Sequence, residues 1–100
     1  FQPIFYEGEL IAFSGNLAHH VDIGGAPVAE GLQTIYEEGL RIPPVLLYRE
    51  GVLQNDIMNM IINNVRTPYE VKGDIAAQTA ANYRGAQRIF ELPKNLVWTL

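Results

Sequence analysis

The stretch "TPYEVKGDIAAQTAANYRGAQRIFEL", residues 67–92, decides the fold class of this chain. Thr67 and Glu70 have the spacing of a helix capping box, in which each side chain bonds the other residue's backbone N–H. Pro68 stands at the first helical position, where its missing N–H costs nothing, and Pro93 cannot continue a helix. The stretch therefore predicts a long helix that begins at Pro68 and ends just before Pro93.

A shorter helix is predicted directly upstream, in "NDIMNMIINNVR". Asn55 is a suitable N-cap and Asp56 places a negative charge in the first turn, where the helix dipole favours it. The apolar side chains that follow recur at helical spacing and form one face: Ile57, Met58, Ile61, Ile62 and Val65. We expect a short amphipathic helix.

The clearest β signal lies at the other end of the chain, in "PIFYEGELIAFSGN". Apolar and aromatic runs at residues 4–6 and 10–13 flank a turn that contains Gly8. Between this hairpin and the helices, residues 27–40 have mixed periodicity, and we interpret them as an ordered loop with room for a helical turn around residues 28–32. Pro43 and Pro44 then impose extended geometry, continued by a β run over residues 45–48.

Strands and helices are thus segregated rather than alternating, which predicts an α+β fold. The order is an N-terminal β-hairpin, a long ordered loop, an extended segment and two C-terminal helices, within one unit over residues 1–100. We expect this unit to be part of a larger domain.

Composition excludes several functional classes. The chain has 100 residues, of which 48% are hydrophobic and 18% charged, as in an ordinary globular domain. Its net charge is −4 and its 7 basic residues are scattered, which argues against a nucleic-acid partner. Cysteine is absent, so thiolate chemistry is excluded. No apolar run approaches the roughly 20 residues that span a bilayer, and we expect a cytoplasmic protein without a membrane partner.

The stretch "AHHVDIGG" holds both histidines of the chain, His19 and His20, followed by Asp22. In extended backbone, adjacent side chains point to opposite faces, whereas His20 and Asp22 would share one. Imidazole and carboxylate suit Zn, Mn or Fe, but such sites generally need three or more ligands. A partial metal site and a polar loop therefore both remain open, and the histidines alone favour the loop.

The long helix carries a polar stripe at i, i+4 and i+8, formed by Asp74, Gln78 and Asn82. Such a stripe is usually solvated. Two amides and one acid, instead of a Glu/Lys mixture, favour buried hydrogen bonding or the wall of a site. We assign the core-facing stripe of this helix to apolar side chains elsewhere on it: Ala76, Ala80, Tyr83 and Phe90.

Four motifs in consistent order, "AHH-D-GG", "EGLRIPP", "NVRTP" and "GD-AQ-AAN", resemble the hydantoinase B family. This family is shared by N-methylhydantoin amidohydrolases, ATP-dependent 5-oxoprolinases and acetone and acetophenone carboxylases. The resemblance extends over about residues 3–92. Because family members are several times longer, it implies an internal segment of a large subunit, as the start at Phe1 without methionine also suggests.

The resemblance also implies a metal site. In the family a divalent metal, here expected to be Mn or Zn, is held partly by a His-x-x-Asp motif upstream of the position where this chain begins. His19 matches the remaining histidine ligand, while His20 and Asp22 belong to the same motif as supporting or alternative ligands. Asp74, Gln78 and Asn82 fall on motif positions as well, and we interpret them, with Asp22, as candidate catalytic residues.

The activity implied by the family is ATP-dependent activation of an unreactive carbonyl. A hydantoinase A-type partner binds ATP and phosphorylates a lactam, imide or ketone oxygen, and the B-type subunit carries out the following attack. We expect hydrolysis of hydantoin or 5-oxoproline in the parent protein and no activity in these 100 residues alone. The alternatives are an acetone-carboxylase type of subunit, or a structural or interaction module without activity.

Overall fold

The computed structural model describes residues 1–27 and 31–92. Its elements in chain order are strands β1 (Gln2–Tyr6) and β2 (Glu9–Ser14), one 3-10 turn (Ile35–Glu37), strands β3 (Tyr48–Arg49) and β4 (Val52–Leu53), and helices α1 (Asn55–Asn63) and α2 (Pro68–Glu91). This is the predicted α+β class. The chain forms two compact units, one with residues 1–18 and the chain from residue 75 onward, the other with residues 19–74.

Strands β1 and β2 form the predicted antiparallel hairpin, each slightly longer than expected. Glu7 and Gly8 connect them with φ values of 49° and 81°, both in the left-handed region that a type I′ turn requires. The register shifts between Ile4 and Phe5, which pair with Ala12 and Leu10 respectively. This β-bulge leaves one extra residue in β2 and lets Ile4, 2% exposed, point into the first unit's core.

The β run predicted over residues 45–48 is wrong in extent. β3 begins only at Tyr48, and it pairs with β4 through a second turn, in which Glu50 has a φ of 52°. β4 ends at Leu53, the partner of Tyr48, because α1 begins at Asn55. Residues 45 and 46 therefore have no strand opposite them with which to pair. A two-residue ladder is the result.

Helix α1 is confirmed, but its predicted cap is off by one residue. Asn55 is already helical, and the preceding Gln54 occupies the cap position without a side-chain hydrogen bond. Met58 and Ile61 are buried. The helix ends at Asn63, so Val65 lies beyond it rather than on its apolar face.

Helix α2 confirms the predicted long helix, whereas the capping box at its start is wrong. The Thr67 carbonyl accepts the Val71 N–H at 3.1 Å, as helical geometry requires. The Thr67 hydroxyl, however, is buried and has no hydrogen-bond partner. The fixed φ of Pro68 and tertiary packing, rather than a side-chain cap, therefore define the start.

The buried face of α2 also differs from the predicted one. Val71, Ile75 and Ala86 are buried, while all four residues of the predicted core stripe are exposed: Ala76, Ala80, Tyr83 and Phe90. Steps of three and four residues place Gln78 and Asn82 on the buried face. Two members of the polar stripe, Gln78 and Asn82, thus lie half-buried because hydrogen bonds, described below, satisfy their amides, whereas Asp74 is exposed.

None of the helices within the described ranges combines the length and the apolarity needed to cross a bilayer. The helical turn expected around residues 28–32 lies largely on residues 28–30, which are outside the described residues. The closing "PKNLVWTL", residues 93–100, also lies outside them.

Candidate functional site

The candidate site lies in the unit formed by residues 19–74, where three of the four motif stretches meet. Its centre is the Asp22 side chain, whose Oδ1 accepts the Gly24 N–H at 2.8 Å and the Arg66 Nη1 at 2.9 Å. The other oxygen, Oδ2, accepts the backbone N–H of Arg66. Asp22 therefore closes its own turn and ties it to Arg66, which lies two residues before α2 begins.

These donors determine the charge state of Asp22. The backbone N–H of Arg66, that of Gly24 and the guanidinium of Arg66 together hold the pKa of the Asp22 carboxyl below its ordinary value of 3.8. The side chain is 10% exposed, against 53% for Arg66. At neutral pH Asp22 is thus a charged, fully hydrogen-bonded carboxylate.

The two glycines after Asp22 allow other backbone segments to approach closely. A Cβ at Gly24 would lie 2.5 Å from the Asn64 carbonyl oxygen, and one at Gly25 would lie 2.5 Å from the Glu37 oxygen. Both residues also have positive φ, 83° and 74°. Any side chain here would push the segments apart, so Gly24 and Gly25 are structural turn residues.

Backbone hydrogen bonds join the same turn to the "EEGLRIPP" stretch. The Ala26 N–H donates to the Glu37 carbonyl at 2.9 Å, and the Leu40 N–H donates to the Ile23 carbonyl at 2.8 Å. The Glu37 side chain accepts N–H groups of the preceding loop, which hold its pKa below the ordinary value of 4.5. The histidine-containing loop is therefore held on one side by residues 37–40 and on the other by residues 64–66.

A cavity of about 550 Å³ opens on this arrangement. Its polar lining residues include His20, Glu38 and Arg66, and its apolar lining residues include Val21, Ile23 and Leu32. The volume is within the range of small-molecule sites, which combine apolar walls with a few directed polar groups. The cavity is largely open to solvent, and His20 is one of its polar lining residues.

The histidines differ in exposure: His19 is exposed, and His20 is half-buried on the cavity wall. Within residues 1–27 and 31–92, no group of three or more His, Cys, Asp or Glu side chains is placed to hold a metal ion. Imidazole nitrogens are suitable donors for Zn or Mn. A metal bound by His19 would take its remaining ligands from outside these residues.

The other candidate residues lie on α2. In the unit that contains residues 1–18, Asn16 Nδ2 donates to Asn82 Oδ1 at 2.7 Å and to the backbone carbonyl of Gln78 at 3.0 Å. Gln78 Nε2 returns a hydrogen bond to Asn16 Oδ1 at 2.9 Å. We call these three residues the amide cluster. Asp74 is exposed and belongs to the other unit, so the structure does not group it with them.

Sequence reasoning missed two residues that organise these arrangements. Arg66 is part of the "NVRTP" motif, but its position there does not predict its partner Asp22, which lies 44 residues earlier. Asn16 follows the second strand without any motif of its own, yet it forms hydrogen bonds to residues 62 and 66 positions downstream. The one available signal was that each residue stands in or beside a motif.

Comparison with known proteins gives one family. The chain matches the Hydantoinase B/oxoprolinase model over residues 1–97. An uncharacterized protein of Methanocaldococcus jannaschii is 44% identical over 94 residues, which cover 91% of this chain and 17% of that protein. The beta subunit of caprolactamase from Pseudomonas jessenii is 40% identical over 96 residues, covering 92% of this chain and 16% of that subunit.

A more distant relative is named for a different reaction. The delta subunit of acetophenone carboxylase from Aromatoleum aromaticum is 31% identical over 96 residues, which cover 90% of this chain and 14% of that subunit. No solved structure matches the chain. The chain spans about a sixth of the length of the first two relatives. Because the family model covers nearly all of its residues, the chain belongs to the Hydantoinase B/oxoprolinase family.

Proposed function

We propose that this chain serves within the B-type subunit of an ATP-dependent cyclic amide hydrolase that opens a hydantoin or 5-oxoproline ring. The observation that carries the proposal is the meeting of "AHHVDIGG", "EEGLRIPP" and "NNVRTP" at one cavity, in a chain of this family. A relative named caprolactamase also acts, by its name, on a cyclic amide. The cavity's apolar wall suits the methylene groups of such a ring.

The proposed role of His19 is that of a metal ligand, with His20 and Asp22 in support. The divalent ion, Mn or Zn, would supply a Lewis acid that activates water or stabilises developing negative charge. Asp22 is already engaged by three N–H donors, so its contribution is to hold the loop after the histidines. His20 lines the cavity, which supports a role for it in contacting a bound ring.

ATP is proposed to bind to a hydantoinase A-type partner and not to this chain. Phosphorylation of the ring's carbonyl oxygen by that partner would create a leaving group on an otherwise stable amide. The catalytic roles of Asp74, Gln78 and Asn82 stay predictions, as does the cytoplasmic location. Hydrogen bonding within the amide cluster supports a role for Gln78 and Asn82 in fixing α2 against the end of the hairpin.

The second candidate function is carboxylation of a ketone. The similarity to the acetophenone carboxylase delta subunit favours it. Both reactions would use ATP to activate a carbonyl oxygen, and they differ in whether water or a carboxylate source completes the step. The third candidate, a structural module, requires that His19 bind nothing.

The test uses the complete polypeptide together with an A-type partner. We expect ATP-dependent ring opening of 5-oxoproline or hydantoin, measured as release of the open-chain acid. Bicarbonate-dependent carboxylation of acetone or acetophenone, with no ring opening, would establish the alternative instead. We expect these 100 residues alone to be inactive, and ATP-dependent hydrolysis by them would overturn that expectation.

A further inference from the structure

We propose that one face of the β1–β2 hairpin is an interior surface of the complete polypeptide, covered by an apolar segment of that polypeptide from outside these 100 residues. We call it the outer face and define it by four side chains: Pro3, Phe5, Leu10 and Phe13. The inference rests on the packing of the hairpin and on the family relationship, and it is independent of the metal and of the reaction.

The strand register places these four side chains together. Pro3 lies opposite Phe13, and Phe5 lies opposite Leu10. Pro3 and Phe5 are two residues apart, so they share one face of β1, and the bulge in β2 keeps their partners on that same face. Directly opposed side chains of an antiparallel pair have their Cβ atoms about 4.5–5.5 Å apart. The outer face is therefore one continuous patch.

The outer face is apolar and yet exposed. Its three large side chains are each at least half exposed: Phe5 55%, Leu10 50% and Phe13 61%. An antiparallel sheet with one face against a core and the other in water alternates apolar and polar side chains. The outer face has no polar or charged member, so its composition is that of a buried surface. Continuous apolar patches of this kind mark places where other protein segments pack.

The other face of the hairpin already has packing partners. It carries Ile4, which is 2% exposed, and the opposing Ala12. It also carries Ser14, which lies so close to α2 that a Cβ on Gly85 would be 2.6 Å from its Oγ. Two strands alone are at best marginally stable in water and need packing against further elements. Since α2 approaches from one side, the outer face is the side left for a second layer.

Length and charge assign this layer to the same polypeptide. The chain covers 17% and 16% of the first two relatives, so in a polypeptide of that length most residues lie outside it. Interfaces between subunits that associate reversibly are about as polar as the rest of a protein surface. A patch without any polar side chain instead fits a permanently buried layer. The covering segment should be apolar as well, because the outer face offers no charge or hydrogen-bonding side chain to pair with.

The experiment measures thiol labelling of the complete polypeptide, without an A-type partner, in the variants Phe13→Cys and Glu7→Cys. Maleimide labelling is quantified at each position by peptide mass spectrometry, so cysteines elsewhere in the polypeptide do not interfere. Glu7 is the matched control because it is charged, exposed and located in the turn of the same hairpin. We expect labelling at position 13 to be at least about 100-fold slower than at position 7, since a covered site reacts only through local opening.

Two results would overturn the inference. The first is similar labelling rates at positions 13 and 7 in the folded polypeptide. The second is protection of position 13 that is lost on dilution to the monomer, or that appears only when an A-type partner is added, because the outer face would then be an intermolecular contact. If Phe13→Cys fails to fold, hydroxyl-radical footprinting of the unsubstituted polypeptide applies the same criteria to Phe5 and Phe13, which should be oxidised slowly.

Discussion

The carboxylate of Asp22 and the guanidinium of Arg66 form an ion pair at 2.9 Å across 44 residues of sequence. With the backbone N–H groups of Gly24 and Arg66, this pair connects the loop after the histidines to the segment just before α2. Hydrogen bonds to a residue distant in sequence restrict a loop more than hydrogen bonds within its own turn do. They limit the movement of the loop relative to the helix that follows that distant residue.

Acid should weaken this connection. Because the pKa of Asp22 is lowered in the folded chain, its charged form stabilises the fold at every pH above its ordinary value of 3.8. That stability is lost as the pH falls through the lower, folded pKa; Glu37 contributes in the same direction. Urea unfolding between pH 7 and pH 2 should show stability declining below about pH 4.

Asp22→Asn serves as the control for this decline. The amide cannot titrate, so the variant should be less stable at neutral pH and should lose less stability on acidification. An identical pH profile for Asp22→Asn and the parent chain would show that the carboxylate contributes nothing to the acid response.

Removal of the Thr67 hydroxyl should not destabilise the chain. That hydroxyl is buried without a hydrogen-bond partner, so Thr67→Val removes a desolvated polar group while keeping the shape of the side chain. We expect unchanged stability or a gain of up to about 1 kcal/mol in the free energy of unfolding. A loss of about 1 kcal/mol, with Thr67→Ser like the parent, would mean that the hydroxyl caps α2 after all.

The amide cluster should make a measurable contribution to stability. Asn16→Ala removes the donor to Asn82 and the acceptor for Gln78 in a half-buried position. Leaving such groups without this partner costs about 1–3 kcal/mol, measurable by denaturant unfolding. Asn59→Ala, at an exposed position of α1, should change stability by less than about 0.5 kcal/mol. Equal effects of the two substitutions would contradict the structural role of the cluster.

Each of the two hairpin turns contains a glutamate whose replacement should stabilise the fold. Glu7 and Glu50 have φ values of 49° and 52°, which asparagine tolerates better than glutamate does. Glu7→Asn should therefore raise the thermal unfolding midpoint, by the equivalent of about 0.5 kcal/mol. Glu7→Ala, which lacks the asparagine preference, is the control and should give no gain; a gain of the same size would point to charge rather than backbone conformation.

Local signals were sufficient to predict the β1–β2 hairpin and both helices. Gly8 in a turn, apolar side chains at helical spacing and the prolines at positions 68 and 93 each act within a few residues. The β3–β4 ladder could not be predicted in the same way, because strands of two residues carry no alternating pattern. Its extent depends on where α1 begins.

The site was less predictable because its contacts are distant in sequence. Apolarity alone placed the core stripe of α2 on Ala76 and Tyr83, whereas Gln78 and Asn82 face inward because Asn16 satisfies their amides. No spacing rule connects Asp22 to Arg66. The histidines could be recognised as a motif, but the arrangement that holds them depends on the tertiary fold.

We propose that His19 is a metal ligand in a Hydantoinase B/oxoprolinase protein, and metal content tests this proposal most directly. The complete polypeptide and its His19→Ala variant are purified in parallel, and bound Mn and Zn are quantified by elemental analysis. We predict that the parent polypeptide carries a divalent metal and that the His19→Ala variant loses it while remaining folded. Retention of both metal and activity in His19→Ala would contradict the account and favour a structural role for the histidine loop.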